Sequence, residues 1–221
     1  MSVLPVDATK FAGMSEEQAK TFPRRSVIGE HLSEDKLAEM PKMISTDSHV
    51  MEPDELWMEL PTRLRENLPK VPFRNSPPGA LKADLRLEDQ KNDGIAAEIL
   101  FPNYGMALYS VDDIETQEAS FKLYNDWLHG WCSEDHKRLI GSPLISVYDP
   151  KRAIKEIHRS VDKGMRGALI WQVPDPQLPF SNTEHYDPIF AACAEAGQPV
   201  ICHILTGHGY MKTGHKRSVE G

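Results

Sequence analysis

Short apolar runs separated by amphipathic stretches set the rhythm of this chain. Met43 and Ile44 open a strand-like run to Asp47, and Pro53 follows where the first turn of a helix tolerates proline, with Asp54 and Glu55 at that helix's positive end. Leu85 to Asp93 reads as a short helix stopped by Gly94, the residue type that most readily turns left-handed past a helix end. The run Ile95-Ala96-Ala97-Glu98-Ile99-Leu100-Phe101 is the second strand. Phe121, Tyr124, Leu128, Trp131 and Cys132 then fall on one stripe at helical spacing, the best periodic segment in the chain, and read as core. Leu139 to Val147 predicts a third strand. Asp149-Pro150 is an N-cap followed by a proline at the first helical position, for a helix that turns Ile154, Ile157 and Val161 inward and stops at Gly164. Met165 to Trp171 is a fourth strand, Asp187-Pro188 opens another helix through Ala196 and Gly197, and Pro199-Val200-Ile201-Cys202-His203 is a fifth strand.

Strands that are continuous apolar runs, each followed by a helix, indicate a parallel α/β sheet buried on both faces. Two stretches stand outside the alternation. Met1 to Lys42 reads as an appendage: Ser15-Glu16-Glu17-Gln18 has the form of a capping box and Ser33 could cap a second short helix, but neither carries enough apolar surface for a core. Pro61, Pro69, Pro72, Pro77 and Pro78 break up a passage too long for an ordinary connection, which marks a functional or covering insertion. The expected organisation is an extension over 1–42 and one domain over 43–221.

Composition narrows the partners. With 33 acidic against 25 basic residues and a formal charge of −8, the chain lacks the clustered Lys and Arg that hold a phosphate backbone, so nucleic acid is not an expected partner. Its apolar runs fall far short of the roughly 20 residues of a membrane span. Met1 to Phe22 lacks the basic start and apolar centre of a secretory signal. Cys132, Cys193 and Cys202 form neither an even framework nor a C-x-x-C pair, and read as small buried hydrophobes. A cytoplasmic protein with a small-molecule partner, free to form a homo-oligomer, is expected.

The candidate chemistry sits at strand ends. Residues two apart on a strand share a face, so Asp47 and His49 point the same way, and carboxylate plus imidazole suits Zn²⁺ or a similar divalent ion. The same pair also fits a turn or helix cap. Phe101-Pro102-Asn103, Trp171-Gln172 and His203 fall at other carboxyl ends of strands, the rim where parallel α/β folds gather their sites. His203 is a ligand or a strand-end histidine on this reading. Asn103 and Trp171 are substrate-lining residues, or a strand cap and a core aromatic. The tail Thr206 to Arg217 holds no phosphate-binding loop, because Gly209 to Gly214 is followed by His215 instead of Lys and Ser or Thr. His208 reads as a solvated loop residue, and Lys212 to Arg217 as a solvated basic end.

Thr46-Asp47-Ser48-His49-Val50-Met51-Glu52-Pro53-Asp54-Glu55-Leu56-Trp57, Ile99-Leu100-Phe101-Pro102-Asn103 and Pro199-Val200-Ile201-Cys202-His203 together resemble the amidohydrolase-related family, which includes aminocarboxymuconate-semialdehyde, carboxyvanillate and resorcylate decarboxylases. The resemblance runs from residue 43 to about residue 205 and implies a (β/α)₈ barrel with one divalent metal, zinc first and manganese second. It assigns Asp47 and His49 as first-strand ligands and His203 as the fifth-strand ligand. Such a barrel takes roughly 250 residues, and here the fifth strand ends near His203, so about five of eight βα units and an incomplete, C-terminally truncated TIM barrel are expected. The family's sixth-strand histidine and last-strand aspartate have no counterpart in this chain, which leaves the acid/base group unassigned. Three readings follow. The first is a metal-dependent hydrolase or carboxy-lyase (decarboxylase) acting on a small carboxylated, ester or lactone substrate. The others are a catalytically silent remnant and a non-enzymatic binding module on the same scaffold.

Overall fold

A computed structural model describes residues 42–71 and 76–209. The predicted capping box at Ser15 to Gln18, the helix after Ser33, Pro72 and the basic end Lys212 to Arg217 lie outside the described residues. Strand and helix alternate as expected: β1 (Met43–His49), α1 (Asp54–Met58), α2 (Thr62–Arg65), α3 (Pro78–Leu81), α4 (Ala83–Asp93), β2 (Ile95–Phe101), a 3₁₀ helix (Tyr104–Ser110), α5 (Ile114–Cys132), β3 (Leu139–Gly141), α6 (Pro150–Asp162), β4 (Ala168–Ile170), α7 (Thr183–Glu195) and β5 (Val200–Cys202). No helix among the described residues is long and apolar enough to cross a membrane.

All strand pairing is parallel, in the order β1-β2-β3 and β4-β5. The segment after β3 joins the two groups: Leu144 bridges Leu169, the Ile145 amide donates to the Leu169 carbonyl at 2.9 Å, and the Leu169 amide donates to Pro143 at 3.0 Å. The result among the described residues is an arc of five strands in chain order with the helices that connect them, part of a (β/α)₈ barrel. The third strand is shorter than the predicted Leu139 to Val147. Pro143 brings no amide to a ladder, and the Asn125 side chain substitutes for a strand partner by accepting from the Leu144 amide at 2.8 Å and donating to its carbonyl at 2.9 Å.

The core lies between the arc and its helices, with Leu100, Leu128, Leu144, Ile157 and Leu169 within 1% of complete burial. The α5 stripe buries Phe121, Tyr124, Leu128 and Cys132 as its spacing predicts, but Trp131, expected on the same stripe, is only partly buried and donates from Nε1 to the Leu81 carbonyl at 3.1 Å. Asp149 caps α6 through the amides of Lys151 and Arg152, and Gly94 ends α4 at φ 70°, a left-handed turn that a side chain would strain. Helix α7 departs from expectation. Its cap is Asn182, which accepts from the His185 amide, so Pro188 lies inside the helix and not at its first turn. Buried Tyr186, Ile189, Ala192 and Cys193 hold that helix together across the missing amide. Burial on both faces holds for the inner strands but not for the ends of the arc, where Ile44 on β1 is 60% exposed and Val200 on β5 is 38% exposed. Each end strand has a partner on one side only among the described residues.

Candidate metal centre

β1 is not a regular strand. Ser45 pairs with Glu98 and Ser48 with Leu100, so three steps along β1 match two along β2, and an extra residue bulges the strand at Thr46 and Asp47. Ser45 and Ser48, three apart, consequently meet, Oγ to Oγ at 2.8 Å. Asp47 and His49 turn to the other side, with His49 Nε2 and Asp47 Oδ1 3.4 Å apart.

His203 closes the group from the far end of the arc. It follows β5 directly, and its Nε2 lies 3.1 Å from the same Asp47 Oδ1. The donor atoms of Asp47, His49 and His203 all lie within 4.8 Å of one another. The imidazoles stand edge to face with centroids 5.1 Å apart, and the Phe101 ring lies 5.1 Å from that of His203 and 6.1 Å from that of His49.

The outer nitrogens decide what the inner ones offer. His49 Nδ1 lies 2.8 Å from the Pro102 carbonyl and His203 Nδ1 lies 2.6 Å from the Ile204 carbonyl. A carbonyl oxygen only accepts, so each Nδ1 carries the proton and donates it, and in the neutral ring each Nε2 keeps a lone pair. Two lone pairs and a carboxylate oxygen then face one another. A shared cation relieves that repulsion, and imidazoles tethered through their second nitrogen are the usual outer support of a metal ligand. Two imidazoles and one carboxylate fit a divalent transition metal, with further positions left for water or substrate.

The Pro102 carbonyl is itself held. Glu52, buried behind it, accepts from the amides of Asn103 at 3.2 Å, Tyr104 at 3.0 Å and Gly105 at 2.8 Å, fixing the start of the 3₁₀ helix. Burial pushes the Glu52 carboxyl above its usual range, and these backbone donors pull against that shift. Gly105 allows the close approach: a Cβ there would stand 2.7 Å from Pro102 Cβ and 3.1 Å from Glu52 Oε1.

Of the residues expected at the site, Asp47, His49 and His203 are brought together, and Asn103 joins Asp47 and His49 in the wall of a cavity of about 540 Å³ beside β1. Trp171 does not join them. It is fully buried, donates from Nε1 to the Tyr186 hydroxyl at 3.0 Å and packs edge-on against Tyr148. His208 is drawn in from solvent: its Nε2 lies 2.9 Å from an Asp112 carboxylate oxygen and 3.4 Å from one of Asp175. Sequence reading missed Glu52 and the carbonyls of Pro102 and Ile204. Glu52 leaves one trace, an acidic residue in the apolar surroundings of Val50, Leu56 and Trp57, while a carbonyl leaves none.

Residues 46–219 match the sequence profile of the amidohydrolase family. No curated protein matches the chain. Among solved structures, 2,6-dihydroxybenzoate decarboxylase from Rhizobium is 23% identical with a TM-score of 0.55, over 74% of this chain and 50% of that one. An amidohydrolase from Mycobacterium avium subsp. paratuberculosis is 22% identical with a TM-score of 0.62, over 74% and 59%. 5-Carboxyvanillate decarboxylase from Novosphingobium aromaticivorans, with bound manganese, is 21% identical with a TM-score of 0.52, over 73% and 50%. At such identities the likeness is one of fold, and the chain spans only 50% to 59% of the length of these structures.

Proposed function

The chain belongs to the amidohydrolase family, and on that premise we propose that it is a metal-dependent hydrolase or carboxy-lyase for a small carboxylated, ester or lactone substrate, with Asp47, His49 and His203 as metal ligands. One observation carries the reading: both imidazoles give their Nδ1 proton to a backbone carbonyl while their Nε2 atoms converge on one Asp47 oxygen. A divalent cation held there, zinc or manganese, supplies Lewis acidity toward a carbonyl or carboxylate oxygen.

The protein's own groups do the remainder. Asp47 contributes the negative charge that attracts a divalent cation. Pro102 and Ile204 keep each ring in the tautomer that binds. Phe101, in ring contact with both histidines, provides an apolar wall against which a flat substrate rests, and the Asn103 side chain orients polar substituents. Decarboxylation is the preferred form of the reaction, because several structures of this fold are decarboxylases of hydroxylated benzoates and three of those structures hold manganese.

The test is metal analysis of the purified protein together with turnover. Protein loaded with Mn²⁺ or Zn²⁺ is offered 2,6-dihydroxybenzoate, 5-carboxyvanillate and a set of lactones and aryl esters. Stoichiometric metal, with turnover that disappears in Asp47→Ala and His49→Ala, supports the reading. Absence of bound divalent metal at saturating concentration sinks it.

A further inference from the structure

On the face of β1 that turns away from Asp47 and His49 lies a buried polar cluster. Ser48, the residue between the two candidate ligands, donates from Oγ to Glu98 Oε1 at 2.9 Å. Glu98 on β2 also accepts from Gln90 at 2.8 Å and from Arg86 at 3.3 and 3.5 Å, both on α4. Arg86 extends further, donating from Nη2 to the His49 carbonyl at 2.6 Å and from Nε to the Gly79 carbonyl at 2.7 Å. The Arg86 and Glu98 side chains are only 12% and 9% exposed.

A buried ion pair generally contributes little stability beyond a well-packed apolar substitute. This one grips both the side chain and the backbone of the ligand-bearing segment, which gives it a different role. Between Ser45 and Ser48 the bulge gives β1 one residue more than β2 carries between their partners Glu98 and Leu100. Where that extra residue sits determines which side chains face the site, because a one-residue slip exchanges the two faces of a strand. Ser48 must meet Glu98, and the His49 carbonyl must meet Arg86. Together these contacts pin the bulge at Thr46 and Asp47 and turn Asp47 and His49 toward His203.

We propose that Arg86 and Glu98, acting through the His49 carbonyl and the Ser48 hydroxyl, are positioning residues that set the geometry of the Asp47/His49 pair and thereby its affinity for the metal. The inference rests on the reading of Asp47, His49 and His203 as ligands. Arginine suits the task because its planar fork donates in several fixed directions at once, whereas a lysine offers a point charge.

The test uses the full chain with Arg86→Met, Arg86→Lys, Glu98→Gln and Ser48→Ala, and His49→Asn as the ligand control. Mn²⁺ affinity is read by titration calorimetry, the visible spectrum is recorded on the Co²⁺-loaded protein, and stability is followed by thermal melting. Asp126→Asn, on the distant α5 surface, is the control for destabilisation alone. Arg86→Met and Glu98→Gln are expected to weaken Mn²⁺ binding by about 10- to 100-fold, the usual effect of removing an outer partner, and to alter the Co²⁺ band shape. Arg86→Lys should recover part of the affinity, and Ser48→Ala, which keeps the ion pair, should give a smaller change in the same direction. Lower melting temperatures with unchanged affinity and Co²⁺ spectrum, or an affinity loss matched by Asp126→Asn, would overturn the positioning role and leave the ligand assignment standing. Mn²⁺ binding unaffected by His49→Asn, or absent from the parent protein, would overturn both.

Discussion

His203 Nε2 and Asp47 Oδ1 lie 3.1 Å apart although 156 positions separate them in the chain. β1 and β5 are the two ends of the described arc, so this contact spans the whole sheet. A cation bound there bridges both ends. Loading with Mn²⁺ at about 100 times its dissociation constant should therefore stabilise the fold by roughly 2.7 kcal/mol, visible as a rise in melting temperature that a chelator reverses. The same addition should leave the melting of His203→Ala almost unchanged, and the affinity of that variant should fall by more than the 10- to 100-fold typical of an outer partner.

Gly105→Ala places a methyl group 2.7 Å from Pro102 Cβ and 3.0 Å from Leu144 Cδ1. Leu144 is fully buried and cannot yield freely. A loss of about 1–3 kcal/mol is expected in denaturant unfolding. Because the strain falls on the residue whose carbonyl orients His49, Mn²⁺ affinity should fall as well.

Trp171→Ala should cost about 3–5 kcal/mol, since it empties a fully buried position and removes the partner of the Tyr186 hydroxyl. Trp171→Phe should cost less, because its ring still fills most of the buried site, while in either variant the Tyr186 hydroxyl keeps donating to the Leu178 carbonyl at 2.7 Å. Mn²⁺ affinity should be the same in Trp171→Phe as in the parent. A selective rise in KM with stability intact would instead return Trp171 to the substrate wall.

Asp126 is the junction of a charge cluster that ties α5 to α6, meeting Lys122 at 2.9 Å, Lys163 at 2.6 Å and Arg159. Partial burial pushes its carboxyl up, but the hydrogen bonds from Lys163, Arg159 and Lys122 outweigh this and hold it well below the ordinary 3.8. A folded pKa below the unfolded one means that the charged carboxylate stabilises the fold above the unfolded value, and that this contribution is lost as pH falls toward the folded one. Asp126→Asn should lose about 1 kcal/mol at neutral pH, a figure kept small by solvent screening. Its melting temperature should also decline less steeply than the parent's on acidification below about pH 4.

The apolar runs of β2 and β4, the stripe Phe121-Tyr124-Leu128-Cys132 and the caps at Asp149 and Gly94 are local patterns, and each could be read directly because backbone preference and burial act there on neighbouring residues. The type and spacing of the candidate ligands were legible for the same reason, since Asp47 and His49 lie two apart on one strand. Pro188 marks where a local rule gave way: packing of the α7 face outweighed the preference of proline for a first helical turn.

What no local pattern carried is the convergence itself. Curvature of the sheet brings His203 to Asp47, the bulge in β1 decides which face its side chains take, and the partners that fix the imidazoles are the Pro102 and Ile204 carbonyls, which every residue type possesses. The Arg86–Glu98 pair reads in sequence as two ordinary charges and becomes a bracket only when α4 packs across β1 and β2. The chain thus wrote down which donors it has, while the angle between distant strands decided where they meet, because interactions between residues far apart in sequence depend on the packing of all the elements between them.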